Sequence, residues 1–476
     1  MFDKAVASLA SILKNHPWVS AVAGILPLSA LIDFIDVPLK LHVFQLVGGV
    51  PLWSWPITPA GSRLLLSRKA SNAPCCLDEF GNSVGLVALD GRYGEEYFIS
   101  SPETFRLAVQ SNSPIRIENL HANMTDTNLR RQDLEIIHVT CRDPESDFPK
   151  SKSRSASNPQ GVHSIWYIAT SLVGWVALIS GIVATVILRL YLATAYFALM
   201  PVTGLVVFAL YGSRPRRLLV PTGSGYNRLI VVAHHMNAAD WDIVYGDSTL
   251  INSLLNRPLE PMGPEIPSVV NKLLNWVLQL LILGQWALAI GATATTNWNA
   301  FFITFWIMFC IFSQAYILTP ASQAGDWLRS YANLEFHRYQ TQVSSRRALL
   351  NTIVALNPDT FAMDSGVEDR TKLNEEGMRC LDPILKPSSG RSHWEEATRK
   401  AMNEATAHEM ADWTSDVYLK TEPNFLSVGW NETYRGRSCY WKPYILEGIY
   451  MATTIRLKAH LTGRRVSDGS HKTEAA

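Results

Sequence analysis

Four stretches of uncharged, strongly apolar sequence constrain this chain more than any other feature: residues 165–188 followed closely by 190–213, and 273–300 followed directly by 301–320. About 20 apolar residues carry an α-helix across the hydrocarbon core of a bilayer. The connections within each pair are too short for anything but a tight turn. Residues 163–213 and 269–320 therefore read as two transmembrane helical hairpins. The expected fold class is mainly α, a multi-pass helical membrane protein with four clear spans.

Lys and Arg gather on the cytoplasmic flanks of membrane helices, and here they gather on one side. Lys150, Lys152 and Arg154 precede the first span, Arg214, Arg216 and Arg217 follow the second, Lys272 opens the third, and Arg329 and Arg338 follow the fourth. The opposite side carries Arg189 alone. The connection at 214–268 and both large flanking regions are thus expected in the cytosol. Residues 1–60 hold two weaker apolar segments, interrupted by Pro27, Asp33, Asp36, Pro51 and Pro56, which suit one or two extra spans or a pair lying on the membrane surface.

Residues 61–149 read as a small mixed α/β domain, with strands at 84–89, 96–100 and 134–140 and an Asp90-Gly91 turn signal between the first two. The Ser-rich basic run at 150–162 has linker composition. Residues 321–462 are expected to be a helical cytosolic region, with helices at 324–355 and 392–418, and 463–476 a disordered tail.

Several classes are excluded. A net charge of +1 lacks the basic excess that nucleic-acid binding requires. The six cysteines, including the Cys75-Cys76 pair and the intramembrane Cys310, have no C-x-x-C spacing, so neither a disulfide framework nor a zinc ribbon is indicated. No Asp, Glu, Lys, Arg or His lies deep inside the four spans, which argues against an ion-coupled transporter. Asn271, Asn275 and Gln279 do fall on one side of the third span, at the spacing of a polar stripe that bonds to neighbouring helices. Gly174–Gly181 and Gly284–Gly291 share a G-x-W-A-L-like pattern, and small residues at Ala177 and Gly181 suit close helix packing.

Chemistry, if present, belongs to the connection at 214–268. The strand-like run 228–233 leads into His234-His235-Met236-Asn237-Ala238-Ala239-Asp240-Trp241-Asp242. Asn237 with Asp240 suits a helix N-terminus, Gly246 its end, and Asp247 the cap of a second helix reaching Leu255. On that reading His235 is the candidate base and Asp240 its orienting partner, with His234, Asp242 and Asp247 as secondary residues. His235 and Asp240 form the H-x4-D spacing and resemble the motif of glycerolipid acyltransferases. The acyl-phosphate-binding E-G-T-R segment of that family is lacking, and the third span begins too soon for its soluble domain. A metal reading of the same side chains lacks H-x-x-x-H or H-E-x-x-H spacing, so no metal and no cofactor is expected. Glu404, His408 and Asp412 recur four apart, which a solvated helix face explains.

The segment 229–259, LIVVAHHMNAADWDIVYGDSTLINSLLNRPL, together with the order of spans, is similar to a group of poorly characterised fungal multi-pass membrane proteins, sometimes encoded near secondary-metabolite genes. That resemblance implies no catalytic residues. The expected function is a non-catalytic or accessory factor that holds cytosolic domains at an endomembrane or the plasma membrane, with the lipid bilayer and other membrane or pathway proteins as partners. The alternatives are a membrane enzyme using His235 and Asp240 on a lipid or isoprenoid-like substrate, and an oligomeric channel or exporter. Asn123 and Asn431 head N-glycosylation acceptor patterns, and the expected orientation leaves both unmodified.

Overall fold

The structure is a computed structural model describing residues 8, 11–25, 37–55, 85–120, 130–141, 165–219, 224, 226–264, 266–317, 319–364, 367–374, 377–407, 433–434, 437–438 and 442–461. The Ser-rich linker, the tail, Asn123, Asn431, His408, Asp412 and the Cys75-Cys76 pair lie outside them. The described residues are mostly helical. They divide into two compact units, one from residues 1–82, 143–218 and 258–333, the other from 83–142, 219–257 and 334–476.

The first unit contains three helices long and apolar enough to cross a membrane, Ile168–Ile187, Tyr191–Gly212 and Ser268–Thr295. A fourth apolar helix, Trp298–Phe312, continues as a π-helical turn, Ser313–Ile317. Both hairpin turns pass through a non-glycine residue in the left-handed region, Arg189 at φ 59° and Thr296 at φ 45°. The second turn lies at Thr296 and Asn297, within the uncharged stretch 293–299 between the two apolar runs. Thr296 ends one helix, and the Asn297 side chain accepts from Asn299 N–H to start the next.

Polarity in this unit runs from outside in. Leu172, Leu280 and Phe305 are about two-thirds exposed, at 66%, 66% and 68%, while Gln285 is 2% exposed. Gln285 Nε2 donates to Thr203 Oγ1 at 3.0 Å, and Asn299 Oδ1 accepts from Ala193 N–H at 3.0 Å. The expected cross-helix role of the amide stripe is corrected in part: Asn275 Nδ2 bonds back to Asn271 O at 2.8 Å on its own helix. Gln285, six residues beyond Gln279, makes the cross-helix bond.

Among the N-terminal apolar segments, residues 37–55 form a short helix, Val37–Val47, then a non-helical stretch through Trp55. Its Trp53 joins Tyr196, Phe197, Met200 and Trp306 in a buried cluster.

The second unit is built on a seven-stranded sheet: β1 Val87–Asp90, β2 Glu96–Phe98, β3 Ile115–Arg116, β4 Gln132–Cys141, β5 Asn227–Ala233, β6 Asp240–Asp247 and β7 Leu334–Val343. The spatial order is β2-β1-β5-β6-β4-β7-β3. β4 is the keystone, parallel to β6 and antiparallel to β7. Three sequence regions that the apolar spans separate therefore meet in one ladder.

Strand alternation gives the sheet two apolar faces. Leu134, Ile136, Leu229, Val231, Trp241, Ile243 and Tyr245 face a core shared with α3 Arg346–Leu356 and α5 Lys442–Ala459. The other face meets α2 Ser248–Asn256, which packs on β4, β5, β6 and α1 Pro102–Gln110. A further helix, α4, spans Ser389–Ala407.

Two secondary-structure expectations are overturned here. Residues 240–247 are a strand, not a helix, because Trp241, Ile243 and Tyr245 alternate into the core with a period of two. Gly246 is not a helix end: its φ is +158°, and a Cβ there would fall 2.3 Å from Val139 O on the neighbouring strand. Within 324–355, residues 334–343 are β7 rather than helix. The strands near 87, 96 and 134 and the helix capped by Asp247 form as expected, and Asp247 accepts from Thr249 N–H.

Candidate functional site

The His-His segment is the turn between β5 and β6, and Arg346 holds its middle. Arg346, at the start of α3, donates to Asn237 Oδ1 at 2.9 Å and to Met236 O at 2.5 Å, and its guanidinium lies 5.7 Å from the Trp241 ring centroid. This combines two charge-assisted hydrogen bonds with a cation–π contact. Trp241 Nε1 in turn donates to Ala238 O at 3.1 Å and to Gln132 Oε1 at 3.2 Å. The turn is therefore braced at both ends.

Both imidazoles use Nδ1 as an acceptor. His235 Nδ1 accepts from Asn237 N–H at 3.1 Å. His234 Nδ1 lies 3.2 Å from Arg106 of α1, and a guanidinium can only donate. Each ring then carries its proton on Nε2. No hydrogen bond joins His235 to Asp240 among the described residues. Asp240 begins β6, exposed and in register with Asp133 of β4. The relay that the H-x4-D spacing suggests is not assembled in this conformation, since the basic nitrogen of His235 is occupied by its own turn.

Asp242 sits two residues further along β6, directly beside Glu135 of parallel β4. Arg338 of β7 donates to both Glu135 oxygens, 3.0 Å from Nη2 to Oε2, and also to Asn112 O. One guanidinium thus serves two neighbouring carboxyl groups and is committed to Glu135. Burial, with Glu135 adding to it, pushes the Asp242 carboxyl up to about 7, against smaller opposing pulls from Arg338 and Arg106. Asp133, Glu135, Asp240 and Asp242 together make an acidic strip on two adjacent strands.

Asp247 has a different environment. Burial alone would raise its pKa, but the hydroxyl and N–H of Thr249 and those of Ser224 outweigh it and hold the carboxyl below its usual range. Asp247 is a helix cap. On the face of the sheet opposite Glu135 and Asp242, burial and the neighbouring His337 depress His138 to about 4.

The five side chains considered as metal ligands do not converge: among the described residues no group of three or more His, Cys, Asp or Glu could hold an ion. Glu135, Arg338, Arg106 and Arg346 are the residues that sequence reasoning missed. Each acts through a partner about 100 or more positions away, so no local spacing announces it. No family model, no curated protein and no solved structure matches this chain.

Proposed function

We propose that this chain is an integral membrane protein with four crossings that displays one α/β unit on a single side of the bilayer, as a non-catalytic or accessory factor. The observation that carries this reading is the pairing of β4 with both β6 and β7. Strands of one sheet lie on one side of a membrane, so the chain makes an even number of crossings between Cys141 and Asp240, and again between Asp247 and Leu334. The first interval contains Ile168–Ile187 and Tyr191–Gly212. The second contains Ser268–Thr295, and evenness then requires Trp298–Phe312 with its π turn to cross as well. From Trp298 to Ile317 that helix rises about 30 Å, the thickness of the hydrocarbon core. The outward apolar side chains and inward amides are the polarity expected of a bundle in lipid.

Cysteine accessibility in sealed vesicles tests this. Native Cys141 is exposed, and Glu335→Cys and Thr295→Cys are exposed positions in β7 and beside the second hairpin turn. An impermeant maleimide should label 141 and 335 from one side and 295 from the other. Labelling of 141 and 335 from opposite sides would sink the proposal.

A catalytic role for His235 requires its turn to open and free Nδ1. Undiminished cellular output from His235→Ala and Asp240→Ala variants at normal protein level supports the accessory reading; loss of output in both, with the protein still folded, would support a lipid-acting enzyme instead.

A further inference from the structure

The segment 37–55 packs into the helical bundle as a short helix followed by a non-helical stretch. Val37–Val47 has 11 residues, about 16 Å of helix, after which the chain unwinds at Gly48 and Gly49, with φ of +73° and +156°. Leu52, Trp53 and Trp55, just beyond, lie against the middle of three long helices. A Cβ on Gly204 would fall 2.5 Å from Leu52 O, and one on Gly174 would fall 2.0 Å from the Trp53 indole. Gln285 Nε2 reaches Trp55 O at 3.4 Å. Non-helical backbone at such depth is tolerated where it is enclosed by protein or lines a polar cavity.

Around this loop the bundle holds donors that lack acceptors. Trp53 Nε1, Trp306 Nε1 and Tyr196 Oη are buried with no hydrogen-bond partner among the described residues, and all three belong to one buried cluster. The cluster is aromatic: Trp306 lies 6.3 Å from Trp53, 5.3 Å from Phe197 and 5.4 Å from Phe309 between ring centroids. An indole N–H can only donate, and lipid tails offer no acceptor. Trp53 sits on the non-helical stretch, outside the crossing helices.

We propose that Trp53, Tyr196 and Trp306 form an intramembrane site for a neutral lipophile whose planar ring carries carbonyl acceptors, a quinone-type head group. The aromatic walls take the ring by offset or edge contacts, and the three donors take the carbonyl oxygens. The proposal rests on the membrane reading above.

The test uses the full-length protein in lipid nanodiscs with decyl-benzoquinone as probe and decylbenzene, which has no carbonyl, as control. The quinone should bind at least about tenfold more tightly than the control, and Tyr196→Phe and Trp306→Phe should each lower that ratio by about three- to tenfold, the range of one hydrogen bond. Equal binding of the two probes, or a ratio indifferent to both variants, overturns the site. Tyr196→Phe removes one oxygen and keeps the ring, which guards against misfolding. Carbonate extraction of the same membranes is scored separately: a protein that remains integrated yet fails to discriminate the probes refutes the site alone, whereas extraction refutes the membrane reading.

Discussion

Replacing Asp242 with Asn should make the α/β unit more stable, and increasingly so as pH rises. The carboxyl titrates at about 7 in the folded chain and near 4 when unfolded. Between those values the unfolded chain has released a proton that the folded chain retains, so the unfolded state binds fewer protons and stability falls as pH increases. Above about 7 both states are ionised and the loss is complete. At about 1.4 kcal/mol per pH unit the whole interval amounts to ~4 kcal/mol. Asp242 keeps some solvent contact, which brings the figure to ~2–4 kcal/mol. An amide of the same shape cannot ionise, and Asp242 makes no hydrogen bond among the described residues for it to forfeit. Amide hydrogen exchange of β5 and β6, followed by mass spectrometry and corrected for intrinsic rates, gives the opening free energy of the sheet without requiring the whole chain to unfold in one step. From pH 5 to 8 the variant's advantage should grow by ~1.5–3 kcal/mol. Parallel profiles for the two proteins would refute the claim that Asp242 is held protonated by burial beside Glu135.

Three further outcomes rest on named contacts. Arg346→Ala removes two hydrogen bonds and the contact with Trp241, so the turn at residues 234–239 should lose ~1–3 kcal/mol of local protection, read by exchange of its amides, while Arg346→Lys should recover only part. Thr296→Gly should raise the thermal midpoint in detergent, because a β-branched residue at φ 45° costs ~1–2 kcal/mol; an unchanged or lower midpoint would contradict that strain. Gly204→Ala places a methyl group 2.5 Å from the Leu52 carbonyl oxygen, where backbone rather than a flexible side chain must move. A loss of ~1–3 kcal/mol is expected, with increased proteolysis near Leu52 as the check.

What sequence can disclose here depends on the range of the interactions involved. Apolar runs, turn residues and caps act between near neighbours, and so 165–187, the strand at 228–233 and the Asp247 cap are legible as they stand. The stretch 240–247 is misleading because Asn237, Asp240 and Gly246 sit at helix-like spacings, whereas the decisive pattern is the alternation of Trp241, Ile243 and Tyr245. That alternation has a strand's meaning only when β4 and β5 lie on either side. The candidate site is half visible: His234, His235 and Asp242 are close in sequence, and His235 bonds within its own turn, but the groups that act on His234 and Asp242, namely Arg106, Arg338 and Glu135, come from other elements.

By itself, then, the sequence determined that the chain carries membrane-length apolar helices arranged in tight hairpins, because about 20 uncharged residues in a row have few other uses. Only the tertiary structure decided that three regions interleaved with those helices form a single sheet, that the amide of Gln285 turns inward, and that Asp242 stands beside a second carboxylate. Backbone pairing across a sheet and the desolvation of a side chain depend on which segments meet, and a linear order of residues does not contain that information.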